Sequence, residues 1–271
     1  MMKFDSWIDI SKIDYIKLSS NPNAIELLKN NQHKINWILI CNNINAIELL
    51  RENKDKIIWS ELSDNPNAIE LLKENKNKIY WPFFSANPNP NAISILKKNP
   101  DKICWAKLSK NPNAIELLKT NPDKIDWNEL SRNPNAISIL KDNKDKINWK
   151  NLSSNPNAIE LLKENQDKIN WYRLSKNPNA IELLIDNKDK IDWEQLSENP
   201  NAIELLKQNP DKIKWYFLSS NPAIFKYDYE EMKISNIELK EEIIAAALHP
   251  NRLFKLMNVY GSENVYNAYF I

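Results

Sequence analysis

The chain has 271 residues, 42% of them apolar, and carries 37 basic against 36 acidic side chains for a net charge of +1. That is enough apolar material for a core without metals or disulfides, and the bulk charge advertises no polyanionic partner. Glycine occurs once, at Gly261, which excludes the glycine-dependent phosphate cradles of P-loop and dinucleotide-binding proteins.

The opening MMKFDSWIDI has no basic stretch followed by an apolar one, so no secretory signal is expected. Nowhere do 18 apolar residues run together, so no membrane span is expected either. From Tyr15 onward the text repeats. Tyr15, Trp37, Trp59, Trp81, Trp105, Trp127, Trp149, Trp171, Trp193 and Trp215 recur every 22 residues, with one interval of 24 after Trp81, where SANPNPNAI holds an extra Asn-Pro pair. Alanines at 24, 46, 68, 92, 114, 136, 158, 180 and 202 keep the same step. A period of this length identifies a repeat architecture. Cys41 and Cys104 then lie about three layers apart, too far for a disulfide at roughly 10 Å per helical layer. Free thiols make a reducing, intracellular setting the expectation.

The unit NPNAIELLKTNPDKIDWNELSR, residues 111–132, shows the local logic. Asn111 is a helix-capping residue and Pro112 suits a first helical position. Ala114, Ile115, Leu117 and Leu118 form a broad apolar stripe. Asn121-Pro122 ends that helix, asparagine serving the turns without glycine, and Asp123 favours the next helix dipole. For the second segment two readings stay open. Helix may run through DKIDW, or Asp-Lys-Ile is a separate tight turn and the helix begins at the Trp, since the preceding residue is often Asp or Asn and DWNE and DWEQ read as capping-box variants.

A single unit buries too little to fold by itself: six large apolar side chains at ~2–3 kcal/mol each fall short of ordering 22 residues at ~1.5 kcal/mol apiece. The expectation is an all-α fold, an α-solenoid of about ten 22-residue, two-short-helix repeats over residues 15–222. Residues 1–14, with Phe4, Trp7, Ile8 and Ile10, are expected as an N-terminal cap over the first layer. Residues 223–271 are expected as a helical C-terminal cap, IELKEEIIAAALHP being its strongest helix. An open stack of ten layers would span roughly 80–100 Å.

The repeat LSxNPNAIELLKxNxDKIxW, together with the closing NPAIFKYDYEEMK…ALHPNRLFKLMNVYG, resembles tandem short-repeat proteins of giant nucleocytoplasmic DNA viruses, mimivirus-like and algal. The resemblance covers nearly the whole chain and implies an interaction module of viral origin, in the host cytoplasm or the virion. Departures are local: INAI at 44–47 lacks the proline, Tyr15 replaces a Trp, and Ile185 takes a lysine place.

Chemistry is hard to find. His33, His249, Cys41 and Cys104 are scattered, so no metal site is expected, and no cofactor or catalytic residue is assigned. His249 in ALHPNR reads as a helix-end residue. Glu26, Glu48, Glu70, Glu116, Glu160, Glu182 and Glu204 share one repeat position, and Lys29, Arg51, Lys73, Lys119, Lys163 and Lys207 follow three residues later. They read as a solvated face with weak pairs. The Trp column reads as packing between layers with each indole N–H satisfied locally. Base stacking on it is the alternative that would make the chain a nucleic-acid binder. A third possibility is an enzyme, or a regulatory subunit of one, with its site in the C-terminal cap. Layers differ most at the two positions after each anchor. That ribbon carries Phe83, Tyr172, Arg173, Tyr216 and Phe217, residue types that anchor interfaces. The expected function is a non-enzymatic scaffold that binds a protein partner through this ribbon, with no role for a membrane.

Overall fold

The computed structural model describes residues 2–237, 244 and 247–270. They divide into two compact units. The larger, Phe4–Lys226, holds all ten anchored layers, and the smaller takes in Tyr227 onward with the first residues of the chain.

One layer shows how each is built. Trp105–Ser109 is a short α-helix, Ile115–Lys119 a second, and Pro122–Lys124 a tight 3-10 turn before the next Trp helix, Trp127–Leu130. Asp-Lys-Ile is therefore a separate turn, and the regular helix begins at the Trp. Ile125 between them is extended, and the Asp126 carboxylate accepts the Glu129 N–H at 2.9 Å, an N-cap bond that fixes where the helix starts. The outer helix starts later than the sequence suggests, at Ile115 rather than Pro112. The reason is that the Asn111 side-chain oxygen accepts the Asn113 N–H at 2.9 Å, so Asn-Pro is spent on an Asx turn. Where the Asn-Pro pair is doubled, the outer helix does start at proline: Asn87 makes that turn with Asn89, and Asn89 caps the eight-residue helix Pro90–Lys97.

The layers are joined by side-chain bonds to buried backbone. The side-chain amide of Asn155 donates to the carbonyls of Ser131 (3.1 Å) and Asn133 (2.8 Å) in the preceding layer. Asn43, Asn65, Asn87, Asn111, Asn133, Asn177, Asn199 and Asn221 repeat this. Each layer's serine hydroxyl accepts a backbone N–H from just before the next anchor, as Ser131 does from Asn148 at 3.0 Å, and donates back to its own anchor's carbonyl. In the second layer Cys41 takes the serine's place, its sulfur accepting the Ile58 N–H at 3.3 Å.

The same bonds continue from the last layer to the first. Asn21 donates to the carbonyls of Ser219 (3.1 Å) and Asn221 (2.8 Å), and the Asp14 N–H donates to the Ser219 hydroxyl at 2.9 Å. The repeats thus close head to tail into a ring, not the open stack that the distinct ends suggest. Closure of ten layers needs a mean turn of about 36° per layer (360° shared by ten), a small rotation set by neighbour packing.

The N-terminal segment makes the closure. Layer ten has its Trp helix, Trp215–Leu218, and its turn, Pro222–Ile224, and then the repeat text stops. The missing outer half comes from the other end of the chain. Ile10–Lys12 forms the 3-10 turn, Ile8 and Ile13 are buried, and Lys12 lies over Trp215 as Lys124 lies over Trp105. Phe4 stacks on Phe225 with centroids 4.5 Å apart, and the Asp5 N–H donates to the Ile224 carbonyl at 2.8 Å. A short strand, Met2–Phe4, pairs with Phe225–Tyr227.

In the smaller unit Tyr229–Ser235, Pro250–Tyr260 and Ser262–Phe270 are helical. Gly261, at φ 86°, makes the turn between the last two, a conformation that favours glycine. His249 is the helix-end residue the sequence implies, its Nδ1 accepting the Asn251 N–H at 3.3 Å. Most of IELKEEIIAAAL lies outside the described residues.

Replacing Asn155 with alanine would strand the Ser131 carbonyl and the Asn157 N–H and take one of two bonds from the Asn133 carbonyl, so urea unfolding should show a loss of about 2–4 kcal/mol. Lys163→Ala, which removes an exposed pair, should cost less than about 0.5 kcal/mol. Cys41→Ser restores the hydroxyl of the other layers and should leave the chain as stable or more so, by up to about 1 kcal/mol.

Candidate interaction surface on the inner wall

On a helix starting at the Trp, 100° per residue sends the third and fourth following residues into the layer. These are the buried leucine and serine, such as Leu174 and Ser175. The first, second and fifth following residues point the other way. Their side is the concave one. Lys110 reaches Asp64 at 3.5 Å and Lys17 reaches Glu198 at 2.6 Å, each skipping a whole layer, which only converging layers permit. Ten helices spaced ~8–10 Å apart, less one helix diameter, leave an opening of roughly 15–20 Å.

All five residues singled out from sequence lie on this wall. Tyr172 and Tyr216 are 51% and 49% exposed, while Phe83, Arg173 and Phe217 are half-buried. Four of them sit in layers eight and ten around a charged cluster that bridges the seam. Glu198, its side chain 7% exposed, lies between Lys17 and Lys176. The Lys17 ammonium also lies over Tyr216 and Phe217, whose rings meet edge to face at 5.2 Å. The Arg173 Nε is buried without a partner. Phe83 stands apart in layer four, against Tyr80, lining a hollow of about 530 Å³ with Asn42, Glu61, Asp64, Lys107 and Lys110. Sequence reasoning named the first and second positions after each anchor and missed the fifth, which supplies Lys176, Glu198, Lys110 and Asp64. The signal was present, since 500° of helix brings the fifth residue between the first two.

Burial alone would raise the Glu198 carboxyl, but hydrogen bonds from Lys17 and Lys176 outweigh it and hold it below the ordinary carboxylate value. A depressed folded value stabilises the fold above the unfolded value of about 4.3 and loses that contribution as pH falls through the folded one.

The other candidates fall into place around this wall. The anchors are half-buried, and among the described residues a turn lysine lies over seven of them, such as Lys146 over Trp127 at 4.5 Å. No anchor indole N–H donates to another group among the described residues, so the expected local satisfaction is not what the column provides. The covering lysines occupy the indole faces on which bases would stack. The glutamate row forms the expected weak pairs, Lys119–Glu116 at 2.9 Å and Lys163–Glu160 at 3.1 Å among them, with the carboxylates well exposed. Both cysteines are free. In the smaller unit the hollow at His249, Arg252 and Lys255 runs along one helix. Among the described residues no group of three His, Cys, Asp or Glu could hold a metal ion, and no helix is long and apolar enough to cross a membrane. No known protein family, curated protein or solved structure matches the chain.

Glu198→Gln should lower the melting temperature by about 2–6 °C at pH 7, and the gap to the parent chain should shrink as pH falls below the unfolded value of about 4.3. Thermal melts from neutral into acid pH check it; a gap that does not shrink with falling pH would show that the cluster contributes nothing through charge.

Proposed function

We propose that the chain is a non-enzymatic protein-interaction scaffold whose inner wall receives a segment of a partner protein. One observation carries this reading. The repeat keeps its buried positions nearly constant for the interlayer bonds and varies the three that face the opening, where it leaves Ile16, Ile38, Tyr172 and Tyr216 about half exposed. Tyrosine and arginine are the residue types on which interface energy concentrates, and the unpartnered Nε of Arg173 has a donor to offer. An opening of roughly 15–20 Å admits an extended strand or one helix of 10–12 Å. The viral, intracellular setting that the repeat text resembles, and the free thiols, are consistent with such a role.

Site-specific photocrosslinking tests it. A benzophenone amino acid at Tyr172 should capture a discrete protein from nuclease-treated lysate, and the same probe at Lys163 on the outer rim should not. Tyr172→Ala with Arg173→Ala should then weaken binding of that protein at least tenfold while leaving the melting temperature within about 2 °C. Capture that collapses with nuclease, or is equal from both positions, contradicts the proposal.

A further inference from the structure

The layer with the doubled Asn-Pro pair differs from the others on the outer side of the ring as well. There a pocket of about 540 Å³ opens between Lys73, Lys76, Ile79, Trp81, Ile95 and Lys98. Three departures from the repeat coincide in it. First, Trp81 is one of the anchors with no lysine over its face. Its own turn lysine, Lys102, pairs with Asp101 at 3.2 Å instead, in the 3-10 turn Pro100–Lys102 that follows the lengthened helix Pro90–Lys97. Second, Ser94 stands where most layers carry the rim glutamate, which removes a negative charge from this layer. Third, Lys98 occupies a position that holds Asn, Thr, Gln, Glu or Asp in every other layer with an outer helix.

The electrostatic result is an unneutralised pair of cations. Lys73 is matched by Glu70 at 2.8 Å, and the nearby Glu74 is taken by both guanidinium nitrogens of Arg51, at 2.9 and 3.0 Å. Lys76 and Lys98 form no ion pair among the described residues. At the pocket edge Asn99 donates its amide to the Ile95 carbonyl at 2.9 Å, which leaves its side-chain oxygen as an acceptor.

An indole face, aliphatic walls from Ile79 and Ile95, two unpaired ammonium groups and one amide oxygen make up the lining. From these we infer that the pocket is a binding site for a mononucleotide. The base stacks on Trp81, as bases do on aromatic side chains of single-strand binders. Lys76 and Lys98 take the phosphate as compact point charges. The Asn99 oxygen accepts from an exocyclic amine or a ribose hydroxyl. The volume lies within the ~300–1,000 Å³ of small-molecule sites. In seven of the other layers a turn lysine fills the stacking face, and the layers of Trp59 and Trp193 carry Glu74 and Gln208 where this one has Lys98. This site is separate from the inner wall and stands independently of the protein-scaffold reading.

Calorimetric titration of the full chain with adenosine 5′-monophosphate tests the inference. The expected result is one site per chain, with adenosine and inorganic phosphate each bound at least tenfold more weakly. Lys98→Glu installs the charge other layers tolerate, so it should fold normally and weaken the nucleotide at least tenfold. Trp81→Ala should do the same, and Tyr172→Ala should change nothing. No binding at millimolar nucleotide overturns the assignment. So does binding that Lys98→Glu leaves unchanged, or inorganic phosphate binding as tightly as the nucleotide.

Discussion

The structure rests on one side chain per layer, the buried asparagine that donates both amide hydrogens to two carbonyls of the layer before it. Short helices leave their last carbonyls without intrahelical partners, and a stack of four- to eight-residue helices multiplies that problem. Asn155 answers it for Ser131 and adds a second bond to the Asn133 carbonyl, while its oxygen holds its own chain in an Asx turn through the Asn157 N–H. Because donor and acceptor belong to adjacent layers, the bond that finishes one helix also sets the rotation to the next. Repeating the geometry ten times returns the chain to its start, and Asn21 completes the circuit on Ser219 and Asn221.

A closed ring needs no polar outer face at either end, which open repeat arrays require for solubility. Its weak point is instead the seam. There the N-terminal residues supply what layer ten lacks, through Phe4 on Phe225, Asp5 on Ile224 and Lys12 over Trp215. The Lys17–Glu198–Lys176 cluster crosses the same seam on the inner wall. Closure and the proposed interaction surface therefore share residues, and whatever occupies the opening at layers eight to one also bears on the joint.

Much of the architecture was legible in the sequence. The 22-residue period gives the layers, the leucines give the core, and the exposed Glu–Lys row forms the expected pairs. Helix starts were partly legible: Asp126 before Trp127 marks a real cap, whereas Asn111-Pro112 marks a turn that delays the helix to Ile115. Closure was not legible. It depends on a rotation per layer that no single unit encodes, and the N-terminal half-layer hides its kinship because WIDISKIDY keeps only the Lys-Ile-Asp of the repeat before its anchor. The inner-wall residues could be named from variability, since Phe83, Tyr172, Arg173, Tyr216 and Phe217 all face the opening. Their grouping could not, because Glu198 joins layers that are adjacent only once the ring is closed.

Head-to-tail closure is the claim on which the rest stands, and a pair of spin-label distances tests it directly. In a Cys41→Ser, Cys104→Ala background, labels at positions 26 and 204 sit two layers apart across the seam, and labels at 116 and 160 sit two layers apart within the array. A closed ring predicts matching distance distributions for the two pairs. A seam distance several times longer, as for opposite ends of an open stack, would contradict it.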